Sequence, residues 1–75
     1  MEREEIKRII EALLFVSDKP LSADTLQDVI KGVESTEVRT MIEEMNTEYG
    51  STGRAFRVKE IAGGFQMLTE PIYSQ

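Results

Sequence analysis

Apolar residues along the chain fall in three blocks with helical spacing, followed by a block in which they alternate. In residues 2–16, Ile6, Ile9, Ile10 and Leu13 share one stripe, and Leu14 and Val16 widen its two edges. Glu2, Glu4 and Glu5 stand in the first turn, where the helix dipole favours negative charge. Phe15 falls opposite Ile6, beside Arg8 and Glu11. The preferred reading is that the helix ends near Val16 and Phe15 turns into the core; the other is that Phe15 anchors a partner. Residues 17–20, Ser-Asp-Lys-Pro, predict a turn, because proline disfavours helix at the residue before it and lacks a donor. Ser22 reads as the cap of a second helix over 23–31, with Leu21 and Leu26 as its hydrophobic staple. That helix buries Leu26, Val29 and Ile30 and closes on Lys31 and Gly32.

The third helix starts at a cap drawn from Glu34, Ser35 or Thr36 and runs to Tyr49, with Gly50 ending it. Val38, Met41, Ile42, Met45 and Tyr49 form a narrow apolar stripe on an otherwise polar helix. Beyond the loop of residues 50–53 the period drops from about 3.6 to about 2. Over 55–62, Phe56 and Val58 alternate with Arg57 and Lys59; over 65–69, Phe65 and Met67 take one face, Gln66 and Leu68 the other. Gly63-Gly64 predicts a two-residue hairpin turn, which needs positive φ at both positions. Pro71 takes the tail out of the sheet. Three helices followed by a β-hairpin is the order of the winged helix, an α+β variant of the helix-turn-helix. A three-helix bundle with an unrelated hairpin is the alternative, which the short connections and the glycine pair disfavour.

Length and charge narrow the function. A chain of 75 residues makes one domain. Such a domain buries only about 60% of its unfolded surface, so a partner surface would help stabilise it. With 14 acidic and 9 basic residues, the formal charge is −5 and the pI about 4.6. That is the wrong sign for a protein held to nucleic acid or to an acidic membrane by counterion release. Histidine and cysteine are both absent. No disulfide, imidazole base, thiolate nucleophile or zinc site of the usual ligands is therefore available, and no cofactor is implied. The carboxylates sit on predicted solvent faces of a domain too small for a deep pocket, so the reading is not an enzyme. The longest apolar run, residues 12–16, is too short for a signal segment or a membrane span, and a cytoplasmic protein is the expectation.

The architecture invites a DNA-binding reading that the charges resist. Away from its apolar stripe the third helix carries Glu37, Arg39, Thr40, Glu43, Glu44, Asn46, Thr47 and Glu48. A reading helix needs cations or amides aimed at bases and phosphates. Arg54, Arg57 and Lys59 on the wing are candidates for a weak backbone contact to DNA, although a strand edge guarded by charge is the preferred reading. Protein–protein interaction remains.

Two stretches, IEALLFVSDKPLS at residues 10–22 and AGGFQMLTEPIY at residues 62–73, resemble the N-terminal domain of the segregation and condensation protein B family. The resemblance covers essentially the whole chain. It implies the first of two tandem winged helices, so that residues 1–75 are one domain of a longer protein. It further implies a non-enzymatic scaffold in chromosome condensation and partition, associated with the nucleoid. The implied partners are a second copy of the chain, with this first winged helix mediating the homodimer, the kleisin subunit, which the second winged helix engages more directly, and, through the kleisin, the structural-maintenance-of-chromosomes ATPase. Phe65, Gln66 and Thr69 match the motif, with Phe65 where tyrosine is frequent. Asp18-Lys19 departs from a pattern of glycine-like turn and acid. Leu68 and Glu70 stand where basic residues are common, which weakens a wing contact to DNA and adds apolar surface.

Leu68 points away from Phe65 and Met67, so one of these two sets lies outside the core. Together with Ile72, Tyr73 and Phe15 it makes a candidate apolar interface through which the chain self-associates. The competing expectation is a winged-helix DNA-binding transcriptional regulator.

Overall fold

The computed structural model describes residues 2–71. Their order is α1 (Arg3–Val16), α2 (Ala23–Val29), α3 (Ser35–Ser51), β1 (Phe56–Ile61) and β2 (Gly64–Thr69), the winged-helix order that the periodicity predicts. The strands are antiparallel, with Val58 opposite Met67 and Ile61 opposite Gly64.

The helix starts follow from local hydrogen bonding. The Ser22 hydroxyl accepts from the Thr25 amide at 3.0 Å, capping α2 as predicted. Glu34 caps α3 in a reciprocal box with Glu37, each side chain accepting from the other's amide. The helix ends differ from expectation. The chain leaves α2 at Ile30, whose amide still reaches the Leu26 carbonyl. Ile30 and Val33 thereby turn inward, and Val29, expected in the core, is 56% exposed. Gly32 takes the expected left-handed conformation, at φ +85°. Gly50 does not end α3. The helix runs through it until the Thr52 amide bonds to the Glu48 carbonyl at 3.0 Å and Gly53 turns the chain at φ +69°.

The hairpin turn is Ala62-Gly63 rather than Gly63-Gly64. Both turn residues have positive φ, +52° and +80°, the signs that a two-residue turn matched to strand twist requires. Gly64 is the first residue of β2 and answers a different need. A Cβ there would stand 2.9 Å from the Pro20 Cβ and 3.1 Å from the Leu21 backbone. That close approach lets Leu21 exchange two backbone hydrogen bonds with Phe65, at 2.9 and 2.7 Å, as a one-residue third strand.

The core gathers Ile6, Ile10 and Leu14 from α1, Leu26 from α2 and Ile30 beyond it, the whole predicted stripe of α3 from Val38 to Tyr49, and Val58 and Phe65 from the hairpin. Ile9 and Leu13 are half-buried, so the buried line of α1 runs through Ile6, Ile10 and Leu14 rather than through Leu13, and Val16 is 82% exposed. Alternation along the strands puts Phe56, Val58, Phe65 and Met67 on the inner face and Arg57, Lys59, Gln66 and Leu68 on the outer.

Candidate interaction surfaces

The acids of α3 meet the bases of α1. Arg3 grips Glu44 with two parallel hydrogen bonds, Nε to Oε1 at 3.1 Å and Nη2 to Oε2 at 2.6 Å. The Lys7 ammonium lies 2.9 Å from Glu48, 3.0 Å from Glu4 and 3.1 Å from Glu44. Arg8 lies 3.9 Å from Glu48, and the Tyr49 hydroxyl donates to Glu11 at 2.6 Å. The hydrogen bonds from Arg3, and next those from Lys7, hold the Glu44 carboxyl down at about 2. The bond to Glu48 is the main cause that raises Lys7 above the usual ammonium range, and burial, aided by Glu11, raises Tyr49 above the usual phenol range. Two of the acids that make α3 unfit to approach phosphate, Glu44 and Glu48, thus hold α1 in place; Glu37 belongs to the cap and Glu43 is exposed.

On its other side α3 faces the wing. Arg39, its only base, pairs with Glu60 at 3.1 Å and stacks 5.2 Å from the centre of the Phe65 ring. Asn46 clasps the backbone of Val58, its amide donating to the carbonyl at 2.9 Å and its oxygen accepting from the N–H at 2.8 Å. The three wing cations do not act together. Arg57 is turned onto its own chain, 3.4 Å from Glu70 and donating to the carbonyls of Arg54 and Phe56 at 2.9 and 2.6 Å. Arg54 and Lys59 are exposed, Arg54 ahead of β1 and Lys59 on the outer face.

Exposed apolar side chains gather on the far side of α1. Phe15 does not turn into the core. It stays in the helix, 53% exposed, with its ring edge-on to Phe56 at 5.1 Å, and Phe56 in turn packs edge-on against Tyr49 at 4.8 Å. These three rings, with Arg8, Glu11 and Arg54, line an open cleft of about 410 Å³. Ala12 and Val16, three residues before Phe15 and one after it, are exposed on the same side, and half-buried Ile9 and Leu13 continue the surface toward the core. The spacing of Ala12, Phe15 and Val16 is visible in the sequence but is hidden there by the assignment of Val16 to the core stripe. Leu68, 39% exposed, sits on the outer face of the hairpin opposite Arg57, whereas Phe15 touches the inner face. The expected single patch of Phe15 and Leu68 is therefore two surfaces. Ile72 and Tyr73 lie outside the described residues.

Comparison with known proteins places this geometry. The family model described as segregation and condensation complex subunit ScpB matches residues 8–75. The chain is 35% identical to segregation and condensation protein B of Syntrophotalea carbinolica over all of its length and 38% of the relative's. It is 32% identical to the protein of that name from Clostridioides difficile, again over its whole length and 42% of the relative's, so it spans about two-fifths of these curated relatives. Among solved structures, ScpB from Mycobacterium tuberculosis superposes with a TM-score of 0.88 at 26% identity, over 99% of this chain and 46% of that one. A dimer of an ScpB N-terminal domain complexed with an ScpA peptide superposes with a TM-score of 0.84 at 29% identity, over 95% of this chain and 88% of that one. The chain belongs to the ScpB family of segregation and condensation complex subunits.

Proposed function

We propose that this chain is the N-terminal winged helix of a longer, non-enzymatic scaffold that acts in chromosome condensation and segregation in the cytoplasm, at the nucleoid. In this reading it pairs with a second copy and engages an ScpA-type kleisin, and through the kleisin the structural-maintenance-of-chromosomes ATPase. The observation that carries the reading is the likeness, over nearly all of the solved domain, to an ScpB N-terminal domain that is itself a dimer with an ScpA peptide. The surface chemistry agrees. The reading position of the winged helix is occupied by a helix that ties Glu44 and Glu48 to α1, leaves Glu43 exposed and has its one arginine tied to Glu60, which suits a protein partner better than phosphate.

Self-association is assigned to the outer face of α1, where Ala12, Phe15 and Val16 leave apolar surface in water. Sedimentation equilibrium of the chain tests this. Wild type is expected to be dimeric at tens of micromolar, and Val16→Glu, at a side chain that packs on little of its own chain, monomeric with an unchanged melting temperature. A wild-type monomer at high micromolar concentration that also fails to retain the kleisin in a pull-down overturns the reading.

A further inference from the structure

We infer that the free edge of β2, at Met67 and Thr69, takes up an extended segment of the kleisin as an added strand. The inference rests on the kleisin-binding reading above and names the site within it. Residues of an antiparallel ladder alternate between pointing their backbone groups at the partner strand and away from it. The Glu70 amide bonds to the Ala55 carbonyl at 2.7 Å, and the Phe65 amide and carbonyl bond to Leu21 at 2.7 and 2.9 Å. The N–H and C=O of Met67 and Thr69, two and four residues on, therefore point to the same side as those of Phe65, away from β1.

That side is left open after one pair. Lys19, the next residue before Leu21 whose backbone could face β2, has both groups taken within its own turn: its carbonyl accepts from the Ser17 hydroxyl at 2.6 Å and its amide donates to the same hydroxyl oxygen at 3.4 Å. Among the described residues no side chain or backbone group bonds to the outward groups of Met67 or Thr69. The opposite edge is treated differently, because Asn46 satisfies both outward groups of Val58. An unprotected strand edge is a template for an extended chain, with backbone bonds supplying affinity and alternate side chains supplying choice.

The flanking side chains define that choice. On the outer face Leu68 is exposed, with Arg57 across from it and Lys59 two residues along, and the Glu60 carboxylate is held by Arg39 on the α3 side. An added strand places an apolar side chain beside Leu68 and an acid within reach of Lys59. The occupant is thus an extended kleisin segment that alternates apolar and acidic residues on that face.

Thr69→Pro removes the outward N–H without removing a β1–β2 hydrogen bond, and an edge strand tolerates proline there. Kleisin affinity is expected to fall at least tenfold in this variant while its melting temperature stays near wild type. Independently of any variant, amide hydrogen exchange of the wild-type chain should show Met67 and Thr69 unprotected when free and protected on adding kleisin. Kleisin that binds with both amides still unprotected, or that binds Thr69→Pro within twofold of wild type, overturns the inference and leaves the kleisin-binding reading standing. Failure of wild type to bind kleisin overturns both. Protection of these amides that grows with protein concentration alone assigns the edge to a second copy and overturns the inference.

Discussion

The Lys7 ammonium donates to Glu48 at 2.9 Å across the contact of α1 with α3, from a side chain that is only 3% exposed. A covered ammonium is costly unless it is paired. Here the covering groups are the carboxylates themselves, which remain 40–70% exposed and hydrated. The two sides of the pair therefore respond differently to deletion. Lys7→Met leaves hydrated acids around an apolar stem and is expected to change stability by no more than about 1 kcal/mol. Glu44→Ala combined with Glu48→Ala strands the ammonium with Glu4 alone and should cost about 2–4 kcal/mol. Urea denaturation of the two variants measures the asymmetry, and equal losses would show that the lysine packs as a spacer.

The same seam sets the acid limit of stability. Arg3 and Lys7 hold the Glu44 carboxyl at about 2, below its ordinary value of 4.5. The stabilisation is complete above the ordinary value and is lost as pH falls toward 2. The melting temperature is therefore expected to drop between about pH 4.5 and pH 2, and Glu44→Gln should lower it at neutral pH while flattening that drop. Lys7 and Tyr49 shift the other way, from ordinary values of 10.5 and 10.0. Their contribution is complete below those values and fades above about pH 10, so the alkaline fall should survive in Glu44→Gln.

Asn46 joins α3 to the wing through two hydrogen bonds to one residue, 2.9 and 2.8 Å from the Val58 carbonyl and N–H. Truncation leaves both backbone groups facing a helix rather than water. Asn46→Ala is expected to destabilise by about 1–3 kcal/mol. The Val58 amide should lose hydrogen-exchange protection ahead of the rest of β1, whereas a uniform loss along β1 would mean that the clasp holds the whole hairpin.

Sequence periodicity made the α3 stripe, the strand alternation and the winged-helix order legible, because each depends on neighbours a few residues apart. It failed where a residue answers to something distant. Lys7 lies beside the apolar stripe of α1, but its hydrogen-bonded partner Glu48 is 41 residues away, so its burial is not visible locally. Val29 looks like core by spacing and is outside because α2 unwinds one residue later. Phe15 and Leu68 were each legible as apolar residues off the core stripe. A one-dimensional pattern does not say that one meets the inner face of the hairpin and the other lies on its outer face. The acids of α3 were legible as an argument against phosphate, but their pairing with α1 needed the packing of the helices.

The glycines show the same division in a form that a few substitutions resolve. The run Ala62-Gly63-Gly64 reads as a turn built on its two glycines, yet the turn is Ala62-Gly63, and Gly64 is small because Pro20 and Leu21 approach it at 2.9 and 3.1 Å. Gly64→Ala is therefore expected to cost about 1–3 kcal/mol by forcing the Leu21 strand away. The mutual protection of Leu21 and Phe65 amides should disappear with it. Ala62→Gly relieves a left-handed alanine at φ +52° and should be neutral or stabilising by up to about 1 kcal/mol. Gly50 sits in the last turns of α3, where an added Cβ would meet only the Arg57 guanidinium at an ordinary 3.5 Å. Gly50→Ala should then stabilise by about 0.5–1 kcal/mol through lower unfolded-state entropy and better helix propensity. If Gly64→Ala proved as harmless as Gly50→Ala, the close approach of Leu21 to β2 would be wrong. The third strand, and with it the point at which the β2 edge becomes free, would have to be redrawn.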